Sequence, residues 1–283
     1  MGALSGYRVL DLADDKGMLL TGLLSDMGAE VTHLELEEPD RLPGLVRRVD
    51  VFIESCPPGY LDSLGIGYAA LRKINPGIIM VSITPFGQSG PYKDFKAHDL
   101  TLQALGGWLS VTGEPQAPLK LFGHQAYFTA SLFASNGILL ALWRRHATGR
   151  GQYIDISIME CVAAALDHVL PRYFYQGIVS GRQGRRHWNN AFGIFPCQDG
   201  YILLSLQQHW ETLVAWLASE GMAADLTDEK WRQREAIIKG RDHLEKILEA
   251  WTLTHTVDEL CEKGQLIHFP WAKVVRPTGV KDD

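Results

Sequence analysis

Hydrophobic and polar positions along the chain switch repeatedly between a two-residue and a 3.6-residue period. Residues 7–12 form a short β-prone run, residues 18–27 carry a helical pattern closed by Gly28, and residues 30–36 return to a strand pattern. The opening therefore predicts a β-α-β unit with a right-handed crossover. Strands are predicted at 49–54 and 77–84, separated by a turn at Pro57-Pro58-Gly59 and a short helix ending near Ile74, ahead of Asn75-Pro76. A long helix follows over 125–146, ended by Thr148-Gly149-Arg150-Gly151-Gln152, then a strand at 153–157 and a helix over 158–175. Residues 193–195 and 201–205 flank Asp199-Gly200 as a hairpin, with helices at 210–217 and 241–251. The pattern is that of an α/β core passing, near residues 190–200, into a smaller mixed region.

Composition narrows the picture. The chain has 283 residues, 46% hydrophobic and 21% charged, enough to bury a core, and its net charge of −6 argues against a nucleic-acid surface. Cys56, Cys161, Cys197 and Cys261 stand far apart, which suggests neither a disulfide framework nor a zinc site and fits a reducing cytoplasm. The first seven residues show no basic stretch followed by an apolar one, so no secretory leader is expected. Residues 126–143 approach the ~18 apolar residues of a membrane span. Thr129, Ser131, Ser135 and Asn136 interrupt them, which favours a buried central helix and no membrane association.

Phe86-Gly87-Gln88-Ser89-Gly90-Pro91-Tyr92 is a glycine-rich loop directly after a predicted strand, where open α/β sheets place ligand-binding loops. A connecting loop that uses glycine for its turns reads equally well from composition. With Ala97-His98-Asp99, Gln103-Ala104-Leu105-Gly106-Gly107 and the segment Thr148-Gly149-Arg150-Gly151-Gln152-Tyr153-Ile154-Asp155-Ile156-Ser157, it forms an ordered set. Pro58-Gly59, Leu64-Gly65, Asn75-Pro76 and Phe269-Pro270-Trp271-Ala272 extend it. The set resembles the family III CoA-transferases, which include carnitine CoA-transferase, formyl-CoA transferase and the α-methylacyl-CoA racemases. The resemblance implies a Rossmann-like large domain, here residues 1–195, a smaller α/β domain, here 196–283, and two chains interlocked as rings. It also implies that the substrates are a CoA thioester and a carboxylic acid, without a bound cofactor or metal, and that Phe86, Gly87, Gln88, Gly90 and Pro91 contact CoA. In the implied mechanism an aspartate attacks the thioester to give a mixed anhydride, then an aspartyl-CoA thioester.

Three departures stand out. The loop that holds the family's aspartate reads Leu121-Phe122-Gly123-His124-Gln125-Ala126-Tyr127, with His124 or Gln125 in the neighbourhood and no carboxylate. The stretches that hold CoA phosphates with basic residues read Leu34-Glu35-Leu36-Glu37-Glu38 and Leu61-Asp62-Ser63-Leu64, with Arg41, Arg47 and Arg48 nearby. The chain is also short, between Pro39 and Val49 and again after Phe269-Pro270-Trp271, which would leave strand edges and apolar surface for a partner chain to cover.

The resulting expectation is a non-catalytic subunit paired with a longer, aspartate-bearing relative. Such pairs resemble the two-subunit enzymes of anaerobic aromatic breakdown, for instance succinyl-CoA:benzylsuccinate CoA-transferase. Two alternatives remain open: a binding or scaffold protein derived from the family, and an autonomous enzyme using His98 or His124 on an acyl-CoA, racemase-like in the case of His98, since His98-Asp99 resembles the racemase pattern although the aspartate that pattern pairs with the histidine belongs to the loop at 121–127. Asp155 and Glu160 flank a strand-to-helix junction and read as capping or core support, with carboxylate chemistry as the sharper alternative. His187-Trp188-Asn189-Asn190, after the basic run 182–186, reads as an acyl pocket, an interface or a solvated loop.

Overall fold

The computed structural model describes residues 2–35, 42–187, 192–205 and 209–275. It divides into two compact units, Met1–Arg182 and Gln183–Asp283. The expected boundary after residue 195 falls inside a strand whose hairpin partner lies wholly in the second unit, so the unit begins earlier than the hydrophobic pattern implied.

The first unit runs β1 (Arg8–Leu12), α1 (Met18–Asp26), β2 (Glu30–His33), α2 (Leu42–Val46), β3 (Val51–Glu54), α3 (Tyr60–Ser63), α4 (Tyr68–Ile74) and β4 (Ile79–Thr84). It continues through α5 (Asp99–Leu105), α6 (Trp108–Val111), the two-residue strands β5 (Gly113–Glu114) and β6 (Ala117–Pro118), α7 (Gln125–Thr148), β7 (Tyr153–Ser157), α8 (Ile158–Ala164) and α9 (Val169–Gln176). Five strands pair in parallel in the order β2-β1-β3-β4-β7. Both faces of the central strands are covered, which is why β3 and β4 are buried at every position instead of alternating. Val9, Val51, Ile53, Ile79, Val81 and Ile83 face a core shared with α1, α5, α7 and α8. Leu10, Phe52, Ile78 and Met80 face a smaller core under α2, α3 and α4.

α7 is the one helix among the described residues long and apolar enough to cross a membrane, yet half of that stretch is buried, against the sheet and neighbouring helices. It ends at Gly149, in the left-handed conformation at φ 68°, and Gly151 then lets β7 close on β4. A Cβ at Gly151 would lie 1.8 Å from the Ile78 carbonyl oxygen. The single helix expected over 158–175 is instead α8 and α9, broken at residues 165–168. Pro171 accounts for the break, since in a continuous helix its ring would meet the carbonyl of Asp167 and it has no N–H to donate.

The second unit contains the hairpin β8 (Phe192–Pro196) and β9 (Tyr201–Ser205), then α10 (Trp210–Ser219), two 3₁₀ turns, α11 (Arg234–Lys239), α12 (Arg241–Thr252), α13 (Val257–Leu266) and β10 (Ala272–Lys273). The sheet order is β10-β9-β8, antiparallel. Phe269 stacks on Trp271 at 4.5 Å, and Trp271 stacks on Trp216 at 5.6 Å, so the Phe-Pro-Trp segment is the centre of this unit's core. Glu220 ties that cluster to the surface: its two carboxylate oxygens accept the indole N–H groups of Trp216 at 2.7 Å and Trp251 at 2.6 Å, with His255 Nε2 at 3.2 Å.

Partial burial pushes the Glu220 carboxyl up, but the two indoles and His255 outweigh it and hold the group below its ordinary 4.5. The charged form is thus favoured by folding, so its contribution is complete above pH 4.5 and is lost as pH falls through the lower folded value. Glu220→Gln should cost about 1–3 kcal/mol at neutral pH and flatten the acid limb of the stability curve, read by tryptophan fluorescence in urea.

Candidate functional site

The carboxyl ends of the parallel strands carry the chemistry. β3 ends on Glu54, which is 3% exposed, and β4 places Ser82, fully buried, beside it. The Tyr153 hydroxyl, from β7, donates to Ser82 Oγ at 2.9 Å, and the Ser82 hydroxyl acts to hold the Glu54 carboxyl down. The Cys56 backbone N–H donates to Glu54 Oε2 at 2.7 Å. Burial pushes the Glu54 carboxyl up against the pull of these donors. Glu54, Ser82 and Tyr153 line a cavity of about 380 Å³ together with Pro57, Leu61, Tyr68 and Met80, with Asp62 and Lys93 also on its wall.

The glycine-rich loop closes over this cavity. Its Gln88 N–H donates to both carboxylate oxygens of Asp155, at 3.1 and 3.0 Å, and Gly87, at φ 80°, brings the backbone to within reach of that carboxylate. Asp155 therefore caps a loop rather than a helix; the α8 N-terminus is capped by Ser157, and Glu160 is exposed. Phe86 is buried between Tyr92 at 6.1 Å and Phe95 at 6.3 Å, while Gly90 and Pro91 are exposed. Of the five loop residues singled out in the sequence, Gln88 is the one whose side chain reaches the cavity.

His98 and Asp99 do not form a pair. His98 is exposed, whereas Asp99 is 4% exposed and turned into the fold. Asp99 Oδ1 accepts the Ala126 N–H at 2.9 Å, in the first turn of α7. Its Oδ2 accepts from Gln103 Nε2 at 2.6 Å and has Lys120 Nζ at 3.4 Å. Gln103 Oε1 also takes the Leu121 N–H at 3.1 Å, and Lys120 donates to the carbonyls of Leu121 and Gly123. The loop before α7 is thus held by two residues one turn apart on α5.

His124, at the start of α7, is exposed and stacks on Tyr127 with centroids 5.7 Å apart. The Gln125 amide donates to the Phe122 carbonyl at 3.0 Å. Neither side chain is brought to a carboxylate. The thiols of Cys56 and Cys161 are pushed up to about 12, chiefly by burial, which leaves them protonated at neutral pH. Arg47 and Arg48 are exposed at the end of α2, Glu35 and Asp62 are exposed acids, and Arg41, Glu37, Glu38 and Trp188-Asn189-Asn190 lie outside the described residues. The basic run is largely spent in ion pairs and hydrogen bonds. Arg182 donates to the carbonyls of Leu109, Glu114 and Pro115, Arg185 meets Glu249 at 2.5 Å, and Arg186 meets Asp242 and Glu245.

The floor of Glu54, Ser82 and Tyr153 is absent from the sequence expectations. One signal for it exists: an acid closing the otherwise apolar strand Val51-Phe52-Ile53-Glu54, the kind of buried charge that demands partners.

The first unit is a parallel α/β sheet with a glycine-rich loop at its carboxyl edge, and the second is a smaller mixed unit. Residues 41–283 match the model of CoA-transferase family III, and the chain belongs to that family. It is 29% identical to the succinyl-CoA:(R)-benzylsuccinate CoA-transferase subunit BbsE of Thauera aromatica, over 316 aligned positions covering 92% of this chain and 76% of that one. It is also 29% identical, over its whole length and 83% of the relative, to the succinyl-CoA:mesaconate CoA-transferase of Haloarcula hispanica. That alignment spans 337 positions, so the relative carries internal segments that these 283 residues lack. A CaiB/BaiF family protein from Brucella suis has the same fold, with a TM-score of 0.87 at 25% identity over 98% of this chain and 85% of its own.

Asp99→Ala should destabilise the first unit by about 3 kcal/mol, because it strips a charged acceptor from the Ala126 amide and from Gln103 at once. Urea unfolding would measure it, and His98→Ala, at an exposed position, should stay within about 0.5 kcal/mol of the parent.

Proposed function

We propose that this chain is one subunit of a CoA-transferase that moves CoA from an acyl-CoA donor to a carboxylic acid, and that it brings no nucleophile of its own. A longer, aspartate-bearing relative completes the enzyme, the two chains forming an interlocked pair in the cell interior. The observation that carries this reading is the loop before α7. Covalent transfer needs an ionised carboxylate free to attack a thioester. The loop supplies none, and the nearest buried acid, Asp99, has both oxygens committed to Ala126, Gln103 and Lys120.

Two further observations support a partner. The outer face of α7 bears Leu132, Leu139, Leu140 and Trp143 at helical spacing, with Trp143 75% exposed, and Phe174 and Tyr175 on α9 are exposed as well. The relative from Thauera aromatica is itself named as a subunit. Within such a pair the chemistry is the partner's: its aspartate attacks the thioester carbonyl, CoA leaves as thiolate, and the thiolate returns to the aspartyl carbonyl of the anhydride, releasing the donor acid. An aromatic dicarboxylate is the acceptor class favoured by the likeness to the benzylsuccinate enzyme.

Native mass spectrometry of the tagged chain recovered from its own cells should find it with a longer relative. Transfer should be undetectable with the isolated chain, appear on reconstitution, and vanish when the partner's aspartate is changed to asparagine. A homodimer with full transfer activity would overturn the reading and move the question to His98 and His124.

A further inference from the structure

The second unit holds a cavity that the transfer chemistry does not call on. It opens between α10 and the two 3₁₀ turns, Ala224–Thr227 and Glu229–Arg232, and has a volume of about 200 Å³. Trp210, Val214 and Ala218 recur every four residues, so a single face of α10 makes one wall. Ala218, and Ala215 on the same wall, are too small to fill the space in front of them. Leu226, 3% exposed, lines the opposite wall with apolar surface.

Three charged residues also line this cavity, and their pairing decides what it can take. Asp228 is engaged by Lys230 at 3.3 Å. Glu211 and Arg232 are exposed, and neither side chain has an ion-pair or hydrogen-bond partner among the described residues, although both border the same space. An anion alone would be drawn to the Arg232 guanidinium but repelled by Glu211, and a cation alone would meet the reverse. A zwitterion satisfies both. An α-amino acid carries its two charges on one carbon, so the guanidinium can take the carboxylate through parallel N–H donors while Glu211 accepts from the ammonium. Its side chain then falls on Trp210, Val214 and Leu226. Size is bounded as well. A cavity of about 150 Å³ encloses benzene, so this one, at about 200 Å³, admits a branched aliphatic amino acid and not tryptophan.

We propose that the cavity binds a free aliphatic α-amino acid, with its carboxylate on Arg232, its ammonium on Glu211 and its side chain against Trp210, Val214 and Leu226. The proposal stands on the second unit alone and does not depend on the transfer reading.

Isothermal titration of the full-length chain with L-leucine tests it. Leucine should bind, whereas isocaproate, which lacks the ammonium, and isoamylamine, which lacks the carboxylate, should each bind roughly tenfold more weakly or worse. Arg232→Gln and Glu211→Gln should each weaken leucine by roughly tenfold or more. Both positions are exposed, so circular dichroism should show the parent fold in each variant. Ala218→Leu should abolish binding by filling the cavity, and L-tryptophan should give no heat. Absence of leucine binding at millimolar concentration, equal affinity for leucine and either analogue, or unchanged leucine affinity in the folded Arg232 and Glu211 variants would overturn the proposal.

Discussion

A single buried carboxylate organises the first unit. α7 is 24 residues long, and its N-terminal amides begin inside the protein, where water cannot satisfy them. Asp99 supplies the missing acceptor from the start of α5, and the cost of burying its charge is offset by the Ala126 N–H, the Gln103 amide and the Lys120 ammonium. Moving the start of α7 by one residue would break that arrangement. α7 then runs through Gly149 into β7, which pairs with β4 as the fifth strand.

The polar interior of this unit is therefore split between two tasks. Asp99 and Gln103 are saturated by their neighbours and serve the fold. Glu54, Ser82 and Tyr153 are linked to one another but open onto a cavity, and that opening is what separates a group available to a ligand from one that is not. Both sets are buried carboxylates with amide or hydroxyl partners. Burial alone would not distinguish them; the accounting of donors and acceptors does.

How much was legible in the sequence follows the range of the interactions. The strand Tyr153–Ser157 and the start of α7 at Gln125 are read correctly, since glycines and apolar runs mark them locally. The break between α8 and α9 is also marked locally, by Pro171, which the expectation of one helix over 158–175 leaves out. α13 was missed although Thr256 and Glu259 form a capping box, a spacing visible in the sequence. His98 and Asp99 read as a pair because they are adjacent, yet one lies outside the helix and the other is its first residue, and their side chains enter different surroundings. The cavity floor was illegible for a different reason. Ser82 and Tyr153 are 71 residues apart, and neither sits in a motif that names the other. The family resemblance reached the fold and the class of chemistry, because its glycines answer to backbone geometry, and of its five loop residues Gln88 alone meets the cavity.

The clasp between Gln88 and Asp155 also orders events in time. The four strands β1 to β4 lie within the first 84 residues and can assemble early, whereas β7 arrives only after the whole of α7 has been made. Until Asp155 leaves the ribosome the glycine-rich loop has no anchor on that side. A nascent chain thus holds four of the five strands with the β4 edge unpaired during synthesis of some seventy residues. The small residue at Gly151 is what lets the last strand dock and end that interval.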